Sequence, residues 1–591
     1  ILFLVSYFTV GYDVLFKAIK NIKKGQIFDE NFLMTIATVG AFAIKEFPEA
    51  VSVMLFYQIG EMFQDLAVGK SRKSITSLMN IRPDYANLKI EGEIKKVLPK
   101  EVKLGDIIVI KPGEKVALDG KITNGSSTFD TSALTGEAIP RTFEIGDEIL
   151  SGFINTTNLV EIEVTKSFEN STISKILDLV QNASSKKSKT ENFITKFARF
   201  YTPAVVIIAL LIAILPMIFA KDAQFSTWLY RALIFLVVSR PCALVVSIPL
   251  GFFGGIGGAS KNGILIKGAN YLEALNNLET VVFDKTGTLT KGKFKVYEIN
   301  VQNSKYTKDD LLKYAAIAES FSNHPIAQSI VLEYEKNNKK LGKTDSSEFE
   351  FEEIAGHGVK VKYENSEILA GNLKLLKKEN IEAAEKDAVG TVVYVAKDRE
   401  YLGNLIIADE IKEDAKKTVE ELNNLGIKNV VMLTGDNRKI GENVASKLNI
   451  SKVFTDLLPL GKVEKMEEFL KNKSANGKVL FVGDGINDAP VLARADIGVA
   501  MGGVGSDAAI EAADMIVMND EPSKIVTALK IAKKTKKIVW QNIIFALGVK
   551  IIILGMGALG FATMWEAVFG DVGVALIAIL NATRALTYKE N

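Results

Sequence analysis

Acidic and hydroxyl side chains follow three short apolar runs of the sequence. Asp284 ends the run TVVFD, and Asp484 follows the run KVLFVG. Thr434 and Asp436 follow the run NVVML. Short continuous apolar runs are typical of strands buried in a parallel sheet, and open α/β sheets bind ligands at the carboxyl ends of their strands. We therefore expect these four side chains to meet at one edge of a sheet.

Such a cluster has a definite chemistry. Neighbouring carboxylates repel one another unless a cation lies between them, and Mg2+ prefers oxygen ligands. Mg2+ in turn favours a phosphate-bearing substrate, and one of the carboxylates can then act as a nucleophile. The alternative is that each Asp only caps a helix or a turn. Three strand ends that each carry a neighbouring Gly or Thr favour the catalytic interpretation.

Four sequence motifs resemble those of the P-type ATPases. The segment DKTGTLT at 284–290 is similar to the phosphorylation signature of that family. TGE at 135–137, TGD at 434–436 and GDGINDAP at 483–490 resemble further family motifs and occur in the family's order. The resemblance covers essentially the whole chain. It implies an ATP-driven membrane pump that forms an aspartyl-phosphate intermediate.

The resemblance assigns roles to individual residues. Asp284 would accept the γ-phosphoryl group of ATP, and Lys285 would neutralise charge beside it. Mg2+ would be held by Asp284, the backbone carbonyl of Thr286 and Asp484. Phosphoryl transfer depends mainly on positioning and charge neutralisation, which suits this density of Lys, Asp and Thr. The residues that would orient the phosphate and its surroundings are Thr434, Gly435, Asp436, Lys462, Asn487 and Asp488.

Two further segments of the chain acquire roles from the same resemblance. The TGE segment lies among short Val and Ile runs broken by Gly, Pro and Asp, which indicates β structure. It would be the actuator domain, in which Glu137 positions the water that hydrolyses the aspartyl-phosphate. SNHP at 322–325 and GHG at 356–358 resemble motifs of the heavy-metal P-type ATPases, and His357 is expected to be a bystander. The residues that this implies for the adenine site are Glu319, His324, Gly356 and Gly358.

Composition indicates a membrane protein with large water-soluble domains. Of the 591 residues, 48% are hydrophobic and 24% are charged, and the net charge of +2 gives no argument for nucleic acid binding. The chain has one cysteine, which excludes an intrachain disulfide and a Cys-x-x-Cys metal site. A membrane helix needs about 20 mostly apolar residues. Seven candidate spans are predicted at 1–18, 32–47, 49–68, 197–220, 228–252, 538–562 and 565–586.

Basic residues predict the orientation of these spans. The segment KAIKNIKKGQ after the first span places that loop in the cytosol. Alternation then places both large polar segments and the C-terminus in the cytosol and Ile1 outside, and the odd count predicts an eighth, upstream span. The predicted domains are membrane spans at 1–68, actuator at 69–195, spans with the Cys-Pro site at 196–254, phosphorylation domain at 255–290 and 405–535, nucleotide-binding insertion at 291–404, and the last spans at 536–591.

The fold class follows from these assignments. We expect an α-helical multi-span membrane domain and a β-rich actuator domain. The resemblance adds an α/β phosphorylation domain of the haloacid dehalogenase-like, Rossmann-type class with an inserted α+β nucleotide-binding domain.

Ionisable side chains within the spans are the evidence on the transported ion, because such residues are costly in a bilayer. They are Glu61, Lys550, Asp571, Cys242 and Arg240. Pro241 should unwind its helix and free carbonyls, and the thiolate of Cys242 favours Zn2+, Cd2+ or Cu+. The alternatives are an interfacial position for Glu61 and a structural ion pair between Lys550 and Asp571.

The spans resemble those of the zinc-, cadmium- and lead-exporting branch of heavy-metal P-type ATPases. GVK at 548–550 and DVG at 571–573 are similar to features of that branch. The resemblance makes Asp571 a ligand of the transported metal and Lys550 its partner or internal counter-ion. It also makes Glu61 part of the release path. A copper exporter is the second choice, since only Asn581 matches what that branch places in its last spans.

The chain departs from this branch at one position. Residues 240–242 read Arg-Pro-Cys where the branch carries Cys-Pro-Cys. Arginine has no lone pair to donate to a metal and stays protonated, so Arg240 should pair with Asp571 or Glu61. Our hypothesis is that the phosphorylation machinery is intact while metal binding is weakened or abolished.

The sequence thus predicts a magnesium-dependent, ATP-driven exporter of Zn2+, Cd2+ or Pb2+. We expect a monomer in the bacterial cell membrane, with the catalytic domains in the cytosol and no nucleic acid partner. Besides the copper exporter, two alternatives remain. One is a transport-dead, nucleotide-binding membrane sensor or regulator, which Arg240 favours. The other is a soluble phosphatase with the same aspartate chemistry, which the seven spans disfavour.

Overall fold

The structure is a computed structural model of the 591-residue chain. It describes all residues except 1, 25–29, 78–82, 84, 132–139, 175–187, 220–222, 241, 321, 323, 338–349, 355–356, 364–365, 387, 389, 485–487, 503–510 and 589–591.

The helices of the described residues are numbered in chain order. They are α1 Leu2–Lys23, α2 Glu30–Ala43, α3 Phe47–Ser77, α4 Lys189–Phe219, α5 Phe225–Val238, α6 Cys242–Lys261, α7 Ala269–Ala274, α8 Lys308–Glu319, α9 Pro325–Asn337, α10 Leu373–Lys378, α11 Ala415–Asn424, α12 Arg438–Lys447, α13 Pro459–Asn472, α14 Ala489–Arg494, α15 Ser523–Leu559 and α16 Met564–Thr583.

The strands are numbered in the same way. They are β1 Ala86–Ile90, β2 Glu93–Val97, β3 Ile107–Ile110, β4 Gly120–Asn124, β5 Ser127–Asp130, β6 Arg141–Phe143, β7 Glu148–Ile149, β8 Ile154–Asn155, β9 Val160–Val164, β10 Ile264–Ile266, β11 Leu278–Asp284, β12 Thr290–Val301, β13 Glu350–Ile354, β14 Gly358–Tyr363, β15 Ser366–Gly371, β16 Thr391–Lys397, β17 Glu400–Ile411, β18 Asn429–Leu433, β19 Lys452–Phe454, β20 Lys478–Gly483, β21 Ile497–Met501 and β22 Met515–Val517.

The chain forms two units. The first contains Ile1–Asn277, Asp514–Asn519 and Thr527–Asn591. The second contains Leu278–Ala513 and Asp520–Val526. The boundaries of the domains predicted from the sequence stay predictions.

The first unit contains the apolar helices. Among the residues that the structure describes, five segments are long and apolar enough to cross a membrane: Leu2–Lys23, Tyr201–Phe219, Phe225–Lys261, Ser523–Leu559 and Met564–Leu586. The other two predicted spans are also helical. However, α2 belongs to the shorter apolar helices, and α3 is not among the five although it has 31 residues. Side chains of α1 to α5 and α16 share one buried apolar core.

The predicted span 228–252 is two helices rather than one. Helix α5 ends at Val238 and α6 begins at Cys242, so the chain leaves the helix between them. The unwinding expected next to the Cys-Pro pair is therefore confirmed. The predicted location of the unwinding within a span is also correct, because both flanking helices are apolar.

The first unit also contains the predicted β-rich segment. A six-stranded antiparallel sheet has the order β2-β1-β3-β9-β4-β7, and a three-stranded sheet has the order β6-β5-β8. In β9 the side chains alternate, with Val160, Ile162 and Val164 buried and the two Glu residues between them less so. This alternation is typical of antiparallel strands with one covered face.

One further short apolar run pairs in the opposite direction. The run DMIVM contains β22, which pairs antiparallel with β10. Local hydrophobicity identifies a buried strand but does not reveal its partner, and so the direction of pairing was not predictable.

The second unit contains the predicted parallel sheet, in the order β21-β20-β11-β18-β19. Neighbours in this set are parallel, with Phe283 opposite Val482 and Asp284 opposite Leu433. Val282, Phe481 and other fully buried side chains form the core of this sheet. Because β11, β18 and β20 are parallel and in register, their carboxyl ends lie at one edge.

A second sheet in this unit is antiparallel and has the order β12-β17-β16-β15-β14-β13. Helices α8 and α9 pack against it around a separate apolar core. Its long strands β12 and β17 start and end beside the parallel sheet, with Thr290 opposite Ile411. The loop after Asp284 therefore leads directly into β12.

Candidate functional site

Three acidic side chains meet at the carboxyl edge of the parallel sheet. Asp284 is the last residue of β11, Asp484 follows β20, and Asp488 precedes α14. Each offers a carboxylate oxygen, and these oxygens lie within 4.8 Å of one another. The convergence predicted from the strand ends is thus found in the structure, and the all-oxygen donor set suits Mg2+.

Lys462 supplies a positive charge to this cluster. Its Nζ lies 2.6 Å from Asp284 Oδ1 and 2.8 Å from Asp488 Oδ1. Burial alone would lower the pKa of Lys462, but the two carboxylates outweigh that effect and raise it. The ammonium therefore stays charged beside Asp284.

The carboxylates are nevertheless crowded. Burial, and next the charge of Asp488, raise the pKa of Asp284 to about 7, although Lys462 opposes the rise. Burial and Asp488 likewise raise the pKa of Asp484 to about 6. A bound divalent cation would relieve this repulsion, because it favours the ionised carboxylates.

The loop that follows Asp284 depends on Gly287. Gly287 has φ +71°, and a Cβ at this position would lie 1.4 Å from Asp484 Oδ2. The residue must therefore be glycine both for its backbone conformation and for the approach of the Asp484 carboxylate. Thr286 beside it is extended, with φ −75° and ψ 131°.

Lys285 points into a second polar group. Its Nζ lies 2.6 Å from Asp436 Oδ2 and 3.7 Å from Asp409 Oδ2. Thr434 is buried, and its hydroxyl accepts a hydrogen bond of 3.1 Å from the backbone N–H of Asp436. Gly435 lies between these two residues, in the loop after β18.

Lys412 fixes the same loop from another direction and was not predicted from the sequence. Its buried Nζ donates to the carbonyl of Gly287 and to Asp520 Oδ1, each at 2.7 Å. The sequence contains a pattern that could have indicated these residues. Asp409 and Lys412 come at the end of the apolar run in β17, and Asp520 follows β22. They therefore lie near strand ends, as Asp284 does.

A cavity of 550 Å³ adjoins these residues. Lys285 and Asp436 line it from the side of the parallel sheet, and Phe294, Lys386 and Asp409, among others, line it from the antiparallel sheet and its loops. The lysines and carboxylates of this lining offer contacts for a phosphate chain and its counter-ion.

The residues predicted for adenine lie in the antiparallel part of the second unit. Glu319 ends α8 and is buried, and burial, with a smaller effect of Glu353, raises its pKa to about 7. His324 is exposed, and its Nδ1 accepts from the backbone N–H of Ile326 at 3.2 Å. This leaves its Nε2 available to a ligand.

Gly358 has a structural role in this fold. It has φ +144°, and a Cβ there would lie 2.3 Å from the carbonyl oxygen of Ala370 on the neighbouring strand. The resemblance assigned this glycine to the adenine site. In the structure its missing side chain admits the backbone of β15.

Four charged residues of the first unit come together at the break between α5 and α6. Lys550 Nζ lies 2.6 Å from Asp571 Oδ1 and donates to the carbonyl of Val238 at 3.0 Å and to the carbonyl of Arg240. Arg240 is 2% exposed. Its guanidinium nitrogens lie 3.6 Å from Asp571 Oδ2 and 3.9 Å from Glu61 Oε1. Arg240 therefore faces both of the carboxylates proposed as its partners.

Tyr57 completes the surroundings of Arg240, and no pattern in the sequence indicated this contact. The Arg240 Cζ lies 4.4 Å from the centre of the Tyr57 ring, within cation–π distance. Tyr57 and Glu61 also line a cavity of 680 Å³ together with Asp13, Lys17 and Asp65. Glu61 therefore lies between the guanidinium and a polar cavity.

Some predicted residues are outside the described part of the chain. These are Glu137, Asn487, Gly356 and Pro241, and for Cys242 only the backbone position at the start of α6 is described.

Comparison with known proteins agrees with this architecture. Residues 80–181 match the model of the P-type ATPase actuator domain, and residues 278–496 match that of haloacid dehalogenase-like hydrolases. The cadmium, zinc and cobalt-transporting ATPase of Bacillus subtilis is 59% identical over 590 residues, covering 100% of this chain and 83% of the relative. The chain belongs to the heavy-metal-transporting P-type ATPases.

Other relatives of this ATPase support the same assignment. The zinc-transporting ATPase of Synechocystis is 54% identical and covers 98% of this chain and 79% of its own length. The crystal structure of a zinc-transporting PIB-type ATPase in the E2.Pi state superposes with a TM-score of 0.64 at 33% identity, covering 99% of this chain and 95% of the other. The predicted family, fold class and enzyme class are thus confirmed, and this ATPase is an integral membrane protein with cytosolic catalytic domains.

Magnesium binding should weaken as the pH falls from 8 to 6. The pKa of Asp284 is about 7 and that of Asp484 about 6 without a cation, so protons compete with Mg2+ below these values. Each competing proton weakens binding by roughly tenfold per pH unit below the pKa of its group. Calorimetric titration of the full chain with Mg2+ should show proton release and this decline. Asp284→Asn should flatten it, because Asp284 is the group whose pKa lies within this range, and an affinity that is equal at pH 6 and 8 would contradict the charge cluster.

Gly287→Ala should reduce ATP hydrolysis by about 100-fold, the scale of loss when reacting groups are displaced by about 1 Å. The new methyl group cannot coexist with the Asp484 carboxylate in its present position. Gly292→Ala is the matched control, because Gly292 also has positive φ (+65°) but the nearest atoms to its Cβ lie 3.9 Å away. Equal losses in the two variants would show that backbone strain alone is responsible.

Lys412→Met should lower the rate of ATP hydrolysis by about tenfold or more, because it leaves the Gly287 carbonyl and Asp520 without their shared donor. A buried polar group that loses its partner destabilises the local structure by about 1–3 kcal/mol. Lys412→Arg should restore part of the activity. Lys291→Met is the control, because Lys291 pairs with Glu410 at the half-exposed edge nearby. If Lys412→Met retains activity within twofold of the parent, Lys412 does not hold the loop.

Proposed function

We propose that this ATPase exports divalent heavy-metal ions, chiefly Zn2+ or Cd2+, from the cytosol through an aspartyl-phosphate on Asp284, and that Arg240 weakens its affinity for them. The main support for phosphorylation of Asp284 is the position of Lys462, whose Nζ lies 2.6 Å from Oδ1 of the buried Asp284. The names of the relatives support the choice of metals, since the proteins from Bacillus subtilis and Synechocystis are named as cadmium, zinc and cobalt or zinc transporters. Pb2+ remains part of the proposal from the sequence resemblance.

The phosphorylation step uses residues already in contact. An oxygen of Asp284 attacks the γ-phosphorus of ATP, the bond to the bridging oxygen breaks, and ADP leaves. Lys462 is placed to stabilise the negative charge that develops near Asp284. Lys285 and Asp436 form an ion pair, and both residues line the 550 Å³ cavity. Thr434 and Gly435, which directly precede Asp436, would orient the phosphate.

The oxygen donors of this edge fit Mg2+, which would be held by Asp284, the carbonyl of Thr286 and Asp484. When bound, it would neutralise phosphate charge during the transfer. Asn487 and Asp488 would orient the surroundings. Glu137 would position the water whose oxygen attacks phosphorus, so that inorganic phosphate leaves and the Asp284 carboxylate is regenerated.

The adenine would bind in the antiparallel part of the second unit. Glu319 is the buried acceptor there, and His324 keeps its Nε2 for a ligand. Gly356 and Gly358 would belong to the same adenine site. Because Gly358 already packs against β15, its contribution would be to keep β14 and β15 close together.

The break between α5 and α6 is the proposed membrane site. Asp571 is buried there, 2.6 Å from Lys550, which suits a ligand with an internal counter-ion. Cys242 at the start of α6 would add a thiolate, and a thiolate with a carboxylate suits Zn2+ and Cd2+ better than Cu+. Copper stays the second choice. Asn581, its one supporting residue, hydrogen-bonds to Asn542 and Gln541.

Glu61 was predicted to lie on the release path. In the structure it lines the 680 Å³ cavity together with Asp13, Lys17 and Asp65, near the ends of α1 and α3 that carry the cytosolic basic residues. This placement supports Glu61 as part of the path of the ion, and its role in release stays part of the proposal.

The ion pairs of Arg240 also favour a second candidate function. A guanidinium that occupies Asp571 and Glu61 competes with the metal, so the chain could be a membrane sensor or regulator that binds nucleotide without transport. Uptake of radioactive metal into inside-out vesicles separates the two functions. Phosphorylation without any uptake would identify the regulator.

Arg240→Cys should raise the stimulation of ATP hydrolysis by Zn2+, Cd2+ or Pb2+ by about tenfold or more, because it replaces a repelling cation by a ligand. Arg231→Cys is the matched control, because Arg231 lies within α5, the helix that precedes Arg240, and its guanidinium stacks on Trp228. Measurement of ATP hydrolysis against metal concentration, with Cu+ in parallel, tests the metal preference. Full divalent stimulation of the unaltered chain would refute the weakening by Arg240.

A further inference from the structure

The guanidinium of Arg240 lies where a transported cation would meet its carboxylates. Its two terminal nitrogens face Asp571 at 3.6 Å and Glu61 at 3.9 Å, and the side chain is 2% exposed. Tyr57 presents its ring face to the same group at 4.4 Å. Carboxylates on two sides and an aromatic face on a third are the surroundings that stabilise a buried cation.

The charges of this group already balance. Arg240 and Lys550 contribute two positive charges, and Glu61 and Asp571 contribute two negative ones. The guanidinium stays protonated at any physiological pH. Arg240, Lys550 and Asp571 are buried, and for buried charges a balanced set is far less costly than one with excess charge of either sign. These four side chains therefore have no net charge without a metal ion.

The guanidinium is also attached to the chain. A tethered ligand has a high effective concentration at its site, and it does not leave when the metal is removed from solution. An equilibrium between two global states responds only to ligands that bind one state better than the other. A permanently bound cation shifts such an equilibrium by a fixed amount, independent of the metal concentration.

We propose that Arg240 acts as a tethered substitute for the transported cation, so that phosphorylation of Asp284 and ATP turnover proceed without metal in solution. This inference rests on the proposed function of the same membrane site. The chemistry balances without cargo: Asp284 takes the γ-phosphoryl group from ATP and releases ADP. Water then cleaves the aspartyl-phosphate to inorganic phosphate and the free carboxylate, with its proton going to solvent.

The test is ATP hydrolysis by the purified full chain in lipid, with Mg2+ present and transition metals removed by a chelator selective for them. The unaltered chain should hydrolyse ATP within twofold of its rate with added Zn2+, and acid-stable phosphoenzyme should form from radioactive ATP. In the Arg240→Gln variant, the rate of ATP hydrolysis with the chelator should fall at least tenfold. The Arg240→Lys variant should retain most of that rate. Arg231→Gln should leave the rate unchanged.

The outcomes separate this inference from the proposed function. A chelator-resistant rate that is absent in the unaltered chain, or that survives in Arg240→Gln, overturns the tethered cation. Failure of Arg240→Cys to respond to any divalent metal, while the unaltered chain hydrolyses ATP, overturns the metal-export proposal and leaves the tethered cation standing. Because the unaltered chain alone gives the first result, misfolding of a variant does not affect it.

Discussion

The need to compensate buried carboxylates governs both functional regions of this ATPase. At the edge of the parallel sheet, Asp284, Asp484 and Asp488 lie within contact distance of a common cation, and Lys462 provides only one positive charge. At the break between α5 and α6, Asp571 is buried beside two cations. In each place the loops and helix ends are arranged so that the charges can be neutralised.

The two regions solve this problem in opposite ways. The sheet edge is left with an excess of negative charge, and the raised pKa values of Asp284 and Asp484 reflect it. Such a site gains from a mobile cation and suits a step that must be switched on by binding. The membrane site is balanced by residues of the chain itself. On our proposal, Arg240 reduces the dependence of this site on an external ion.

Much of the fold and of the candidate site could be predicted, because the patterns that indicate them are local in the sequence. The apolar runs before Asp284, Thr434 and Asp484 predicted the strands, and parallel pairing then placed their ends together. The helix break followed from a proline next to Cys242. Nothing local predicted that β22 pairs antiparallel with β10, that Lys412 reaches Gly287, or that Tyr57 covers Arg240, because each depends on elements far apart in sequence. Asp409 and Asp520 also lie at or near the ends of strands, but these strands are not among the three whose ends predicted the site.

The ammonium of Lys550 has a consequence for selectivity. By donating to the carbonyls of Val238 and Arg240, it occupies backbone oxygens that the helix break would otherwise present to a passing ion. Sodium, potassium and calcium ions depend on several such oxygens to replace their water shells, whereas zinc and cadmium ions bind well to a few side-chain donors. With Lys550 in this position, the break offers the abundant ions of the cell fewer of the backbone ligands that they need.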